Sequence, residues 1–196
     1  KLQKEFPELT VPDGCIYVSA NILEPGVILR HGKILRVVFG ARKPEEETEK
    51  MREIAKVMAC ENIEVILSED IRRDAMVKFS YVSPIGVAGL YCNATAADFQ
   101  KDGEAREMFK ALITEIVALS HAMGIEFQED LVGRNLKIVA PLAPEATTSM
   151  QRDVYAGKKS EIDGLVYEIV RLGKEYGVPL PEYEKAAARF HEQGLK

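Results

Sequence analysis

Residues 147–181 read TTSMQRDVYAGKKSEIDGLVYEIVRLGKEYGVPLP. The stretch is written in helix punctuation. Small hydroxyl residues open a first segment, and Gly157 closes it. Ser160 is placed as an N-cap, with Asp163 three residues on as its capping-box-like partner. Ile162, Leu165, Val166, Ile169, Val170 and Leu172 then recur at helical spacing and define one apolar face. Gly177 and Pro179 stop the run. Glu161 is the residue that the helical pattern does not require. An acid beside a helix N-terminus complements the macrodipole by about 0.3–1 kcal/mol, or it binds something.

The pattern extends upstream. Glu104 to Met123 carries Phe109, Leu112, Ile113, Ile116, Val117 and Leu119 on a helical repeat, ended by Gly124. Glu129 to about Ala140 reads as another helix, closed by Pro141 and Pro144. Ile71 to about Tyr91 reads as a long helix interrupted by Pro84, and Pro181 to about Gln193 as the last one.

Before Ser68 the signal changes. Cys15 to Ala20 has strand composition, and Glu24-Pro25-Gly26 is a turn. Val27–Arg30 and Ile34–Phe39 are apolar runs joined by His31-Gly32-Lys33, a hairpin-like pattern. Pro44 suits a first helical turn, with Glu45, Glu46 and Glu47 near its positive end, and this helix is expected to reach about Cys60. Ile63 to Leu67 is a short strand. Helix followed by strand is α/β logic. The expectation is the end of an α/β domain over residues 1–68, joined to an all-helical domain over 69–196.

Composition sets outer limits. The 196 residues are 46% hydrophobic, enough for one good core or two small ones. Acids outnumber bases 31 to 26, for a net charge of -5. That balance argues against a nucleic-acid binder or a protein of anionic membranes. No apolar run approaches the roughly 18 residues of a membrane span. With no charged and apolar leader pattern visible, a cytoplasmic protein is expected. Cys15, Cys60 and Cys92 are widely spaced and read as reduced thiols. His31, His121 and His191 are scattered, without metal-ligand spacing. The first residue is Lys1 rather than methionine, the expectation for a processed or trimmed chain.

Three residues stand out as chemical candidates. Lys78 has Asp74, Ala75, Tyr81 and Val82 as its helical neighbours, so its face is largely apolar. An ammonium that loses hydration gives up its proton more readily, which suits a general acid. The competing reading is an exposed lysine paired with Asp74 at i−4. Ser149 and Glu161 are the other two. Each also has a structural reading, as a helix-start residue and as a macrodipole acid. Lys158 and Lys159 read as a solvated turn rather than a phosphate site. Pro84 leaves the Ser80 carbonyl without its helical donor. With Ser80 and Ser83 that group would line a cleft, or the proline simply kinks or breaks the helix. No G-x-G-x-x-G and no P-loop is present, so a dinucleotide cradle is missing. Gly86 and Gly89 lie in helix-like surroundings. No Ser-His-Asp or Cys-His set stands out.

Three segments in order, CIYVSANILEPGVILRHGKILRVVFG (15–40), DIRRDAMVKF (70–79) and the opening stretch, resemble the ketopantoate reductases (2-dehydropantoate 2-reductases). The resemblance implies an incomplete Rossmann-type α/β tail, followed by an all-α domain like that of 6-phosphogluconate dehydrogenases. It implies reduction of ketopantoate to pantoate by NADPH, for pantothenate and coenzyme A synthesis. Lys78 falls on the family's catalytic lysine, Glu161 on the glutamate that binds the substrate hydroxyl, and Ser149 on a substrate-holding serine. It also implies a small 2-keto acid as ligand and a possible homodimer through the helical domain. Val82, Gly86 and Ala146 replace asparagines that the family often carries. Another 2-keto acid is therefore an alternative substrate, and a helical oligomerisation module an alternative function. The cofactor half would precede Lys1, so NADP(H) belongs to the intact protein. None is expected bound to this chain, which by itself is expected to be inactive.

Overall fold

The computed structural model describes residues 2–196. Lys1, with the expectation attached to it, lies outside the described residues. The chain divides into two compact units, one ending at Ala75 and one running from Met76 to Lys196.

The first unit is built on a three-stranded sheet in the order β1-β2-β3. A four-residue helix α1 (Leu2–Glu5) precedes β1 (Asp13–Glu24), and β2 (Val27–Gly40) pairs with β1 antiparallel. The reversal occurs at Pro25-Gly26, where proline fixes one turn position and Gly26 supplies φ +86 at the next. His31-Gly32-Lys33, expected to join two strands, does not reverse the chain. The register passes from Val18↔Leu35 to Ala20↔Arg30, so residues 31–34 face Ser19 alone. Both apolar runs pair with the same partner strand, and the segment between them bulges outward. Gly32, at φ +76, provides the bend. A glycine with positive φ serves a turn or a bulge equally well, which is why the local pattern did not separate them.

The helix after β2 also starts later than its proline suggested. Pro44–Glu46 form a short 3-10 turn, and α2 (Glu49–Met58) begins after Thr48. The Thr48 hydroxyl accepts from the Met51 N–H, so the cap residue sets the start. The chain then returns as β3 (Glu64–Leu67), parallel to residues 36–39 of β2. At the end of β2 an added Cβ on Gly40 would lie 2.7 Å from the Ser68 carbonyl oxygen. Only glycine permits that approach. The core of this unit is small, formed by Val38, Phe39, Met51 and Ile71. Ile22, Ile28, Ile34 and Val57 stand exposed.

Everything after β3 is helical. α3 (Ile71–Cys92) is continuous through Pro84. It is followed by α4 (Ala96–Gln100), α5 (Glu104–Ala122), α6 (Leu131–Val139) and α7 (Ser149–Tyr155). A π-helical turn (Asp163–Tyr167) then leads into α8 (Glu168–Tyr176), and α9 (Pro181–Glu192) closes the unit. Gly124, Gly157 and Gly177, all with positive φ, end their helices as the pattern indicated. α4 had no counterpart in the sequence reading. Its signal was present, because the Thr95 N–H and the Asp98 carboxylate close a capping box at 2.9 Å.

α5 is the centre of the unit. Phe109, Leu112, Ile113, Ile116 and Leu119 are fully buried, and α4, α6, α8 and α9 pack around them. Among the described residues no helix is long and apolar enough to cross a membrane. Cys15, Cys60 and Cys92 are free thiols, and among the described residues no group of His, Cys, Asp and Glu could hold a metal ion.

Two buried polar contacts hold the helices in register. Pro84 cannot donate to the Ser80 carbonyl, and Asn135 of α6 does so instead at 2.9 Å. The same amide donates to the Ser80 hydroxyl. Ser80, Ser83 and Asn135 have no exposed surface. Of the two readings of Pro84, the cleft lined by Ser80 and Ser83 is therefore excluded, because other helices take up their polar groups.

The second contact is at α9, whose N-cap position is Leu180, a residue with no acceptor. Glu115 of α5 fills that role, accepting from the N–H groups of Glu182 and Tyr183 at 2.7 and 3.1 Å. Burial pushes the Glu115 carboxyl above its ordinary range, and Glu182 and Glu184 add to this against the two N–H donors.

Asn135→Ala should orphan the Ser80 carbonyl and cost about 1–3 kcal/mol in urea unfolding. Adding Pro84→Ala should recover part of that loss by restoring a helical donor. An equal effect of Pro84→Ala with and without Asn135 would show that the two are not coupled. A raised carboxyl pKa stabilises the fold below the ordinary value of 4.5, and that contribution is lost as pH rises through the raised value. Stability should therefore change less between about pH 4 and about pH 7 in Glu115→Gln than in the parent. Identical pH profiles by thermal melting would refute this.

Candidate functional site

Lys78, Ser149 and Glu161 all belong to the helical unit, and α3 supports each of them. Lys78 is half-buried on α3. The row that continues from it at four-residue steps is Val82, half-buried, and Gly86, buried. α7 lies across this row. An added Cβ at Gly86 would stand 3.0 Å from the Met150 Cε, and one at Gly89 only 2.5 Å from the Gln151 Oε1. Both glycines are thus occupied by the neighbouring helix. The absence of a side chain at Gly86 is a packing requirement, and Met150 takes the space.

Gln151 anchors the start of α7. Its Oε1 accepts from the Thr148 N–H and hydroxyl, and its Nε2 donates to the Ala94 carbonyl at 2.8 Å. Ser149, the first residue of α7, is left exposed. Gly86 is eight residues beyond Lys78, about 12 Å along the helix axis. Ser149 therefore starts a helix that crosses α3 some two turns from the lysine.

Glu161 is exposed just before the π-helical turn. The expected Ser160 cap does not form. Asp163 instead pairs with Arg171 at 3.0 Å, and the first helical bond runs from the Leu165 N–H to the Glu161 carbonyl at 2.9 Å. The Glu161 carbonyl thus takes the N-cap role, one residue beyond Ser160. The turn reaches α3 through Leu165, whose carbonyl accepts from the Ser83 hydroxyl at 2.6 Å. Lys158 and Lys159 are exposed, consistent with a solvated turn.

The arrangement gives a half-buried lysine, an exposed serine and an exposed glutamate, each carried by an element fixed to α3. Neither Ser149 nor Glu161 has a side-chain hydrogen bond among the described residues, so no hydrogen bond joins these two. Two surface hollows, one around Glu129 and Arg134 on α6 and one around Asn93 and Lys101, contain none of the three candidates. The sequence reading missed Gln151, Asn135 and Tyr183. Gln151 was findable, since Thr148-x-x-Gln151 is a capping box, but its second bond to Ala94 carries no local signal.

Residues 70–193 match the model of the family described as "Ketopantoate reductase PanE/ApbA C terminal". The chain is 25% identical over 173 residues to a 2-dehydropantoate 2-reductase of Mesorhizobium japonicum, covering 88% of this chain and 52% of that protein. The chain thus spans about half the length of that curated relative. Its fold is similar to the crystal structure of 2-dehydropantoate 2-reductase from Methylococcus capsulatus, with a TM-score of 0.85 at 22% identity. The match covers 99% of this chain and 61% of that one. A D-mandelate dehydrogenase in complex with NADH shares the fold at a TM-score of 0.74 and 18% identity, over 94% of this chain and 68% of the other. The family match takes in all three candidate residues and most of the helical unit, and on it the chain belongs to the ketopantoate reductase PanE/ApbA C-terminal family.

Proposed function

We propose that this chain is the substrate-side portion of an NADPH-dependent 2-dehydropantoate 2-reductase, which reduces the ketone of ketopantoate to the hydroxyl of pantoate in the cytoplasm. The observation that carries the reading is the family match over residues 70–193, which includes Lys78, Ser149 and Glu161. In this reading residues 1–68 are the tail of a Rossmann-type nucleotide-binding domain. Residues 69–196 are a substrate-binding domain of the 6-phosphogluconate dehydrogenase type.

The described residues do not fit a dinucleotide. The turn after β2 spends Gly40 on the close approach to Ser68, and no glycine-rich strand-to-helix turn exists elsewhere. NADP(H), which supplies the hydride, is therefore assigned to residues outside this chain. The chain contributes proton transfer and substrate orientation. Lys78 donates a proton from Nζ to the ketone oxygen as that oxygen gains negative charge, and is reprotonated by solvent. Ser149 donates a hydrogen bond to the substrate. Glu161 accepts one from the substrate hydroxyl at the far end.

A second reading is a reductase of another 2-keto acid. Its support is the row beyond Lys78, where Val82 is apolar and Gly86 is covered by Met150, so neither offers a hydrogen bond. The fold shared with a D-mandelate dehydrogenase is compatible with it. Pairing with a second copy through the helical unit would rest largely on polar contacts, because its exposed large apolar residues are Tyr155 and Tyr176.

In the intact enzyme Lys78→Ala should lower kcat by about 10²-fold or more, with the circular dichroism spectrum and NADPH affinity retained. Unchanged turnover would leave the helical unit as an interaction module and refute the catalytic role. Comparing ketopantoate with aryl and branched 2-keto acids separates the two substrate readings. The chain by itself should bind NADPH weakly, and low-micromolar binding in a fluorescence titration would overturn the assignment of the cofactor to residues outside it.

A further inference from the structure

We propose that Ser83 and Tyr183 are positioning residues for Glu161, acting through the π-helical turn that follows it. The inference rests on the reading of Glu161 as a substrate-binding residue.

The turn over Asp163–Tyr167 contains one residue more than an α-helical turn of the same rise. One extra residue rotates everything on its N-terminal side by about 100° relative to the helix that follows. Glu161 lies on that side and α8 on the other. The π turn therefore decides the direction in which Glu161 projects from the unit. A π turn relaxes to an α-helix unless other groups hold it, and here the holding groups are visible.

Leu165, inside the turn, is bonded on both sides of its backbone. Its N–H donates to the Glu161 carbonyl, and its carbonyl accepts from the Ser83 hydroxyl. Ser83 has one proton, which that bond uses. Its oxygen also meets the Tyr183 hydroxyl, so Tyr183 must be the donor there. The result is a one-way chain, Tyr183 to Ser83 to Leu165, whose two side chains have no exposed surface. Its far end is fixed as well, since the Tyr183 N–H donates to Glu115. Three helices, α3, α5 and α9, thus contribute to holding one turn. A hydroxyl in chain with another hydroxyl and a carbonyl is polarised and strengthened relative to an isolated bond. Loss of either hydroxyl leaves the Leu165 carbonyl or the buried serine oxygen short of a partner.

The test is a mutant cycle in the intact enzyme. Tyr183→Phe removes the donor and keeps the volume, and Ser83→Ala removes both bonds. Each should raise KM for the 2-keto acid about tenfold, while kcat and KM for NADPH stay within about twofold. In a Glu161→Gln background the same substitutions should raise KM no further, because their effect passes through Glu161. Undiminished multiplication of the two effects would overturn the proposal, as would lowered thermal stability with KM unchanged. If Glu161→Gln alone leaves KM unaltered, the reading of Glu161 as a substrate ligand fails, and the proposal fails with it. That result is recognisable from the single variant before the cycle is completed. If Ser83→Ala does not fold, Tyr183→Phe carries the test.

Discussion

A proline in the middle of the longest helix removes one backbone donor from a dry interior, and the helical unit is organised around that loss. The Ser80 carbonyl must be satisfied from outside its own helix. Asn135 does this, which fixes α6 against α3 at one residue. One turn further on, Ser83 sends its proton to the π-helical turn and receives one from α9. Apolar packing around Phe109 and Leu112 supplies the driving force for collapse, but it is tolerant of small slips. The polar contacts are not tolerant, because a shift of one turn would strand buried groups. Stability and registration therefore come from different residues.

The same helix carries the second organising device. Gly86 and Gly89 let the start of α7 come close, and Gln151 then serves both its own cap and the Ala94 carbonyl. A larger side chain at either glycine would push away the segment that presents Ser149. Support for the candidate site is thus a matter of small residues and buried amides, while the candidate groups themselves stay accessible.

Much of this architecture could be read in the sequence. The helical repeats at 104–123 and 162–172 and the terminating glycines are local signals, and local physics decides them. The change from strand to helix composition near Ser68 was equally plain. The three candidate residues, by contrast, were readable only through likeness to a family, since each has an ordinary helical role. Where local reading failed, a distant partner had intervened. His31-Gly32-Lys33 bulges because β1 accepts both flanking runs. The polar chain through Ser83 and Tyr183 joins residues 100 positions apart, and no window of sequence contains it.

The hairpin carries a practical consequence of another kind. Among the described residues β1 is an edge strand, with β2 as its one strand neighbour. Its tip presents Ile22 and Ile28 together on one face, both largely exposed. A long, β-branched edge strand is a template for further strands. Anyone preparing these residues as a stand-alone protein would do well to place lysines on that edge before altering the helical core, because solubility would be limited by the sheet and not by the helices.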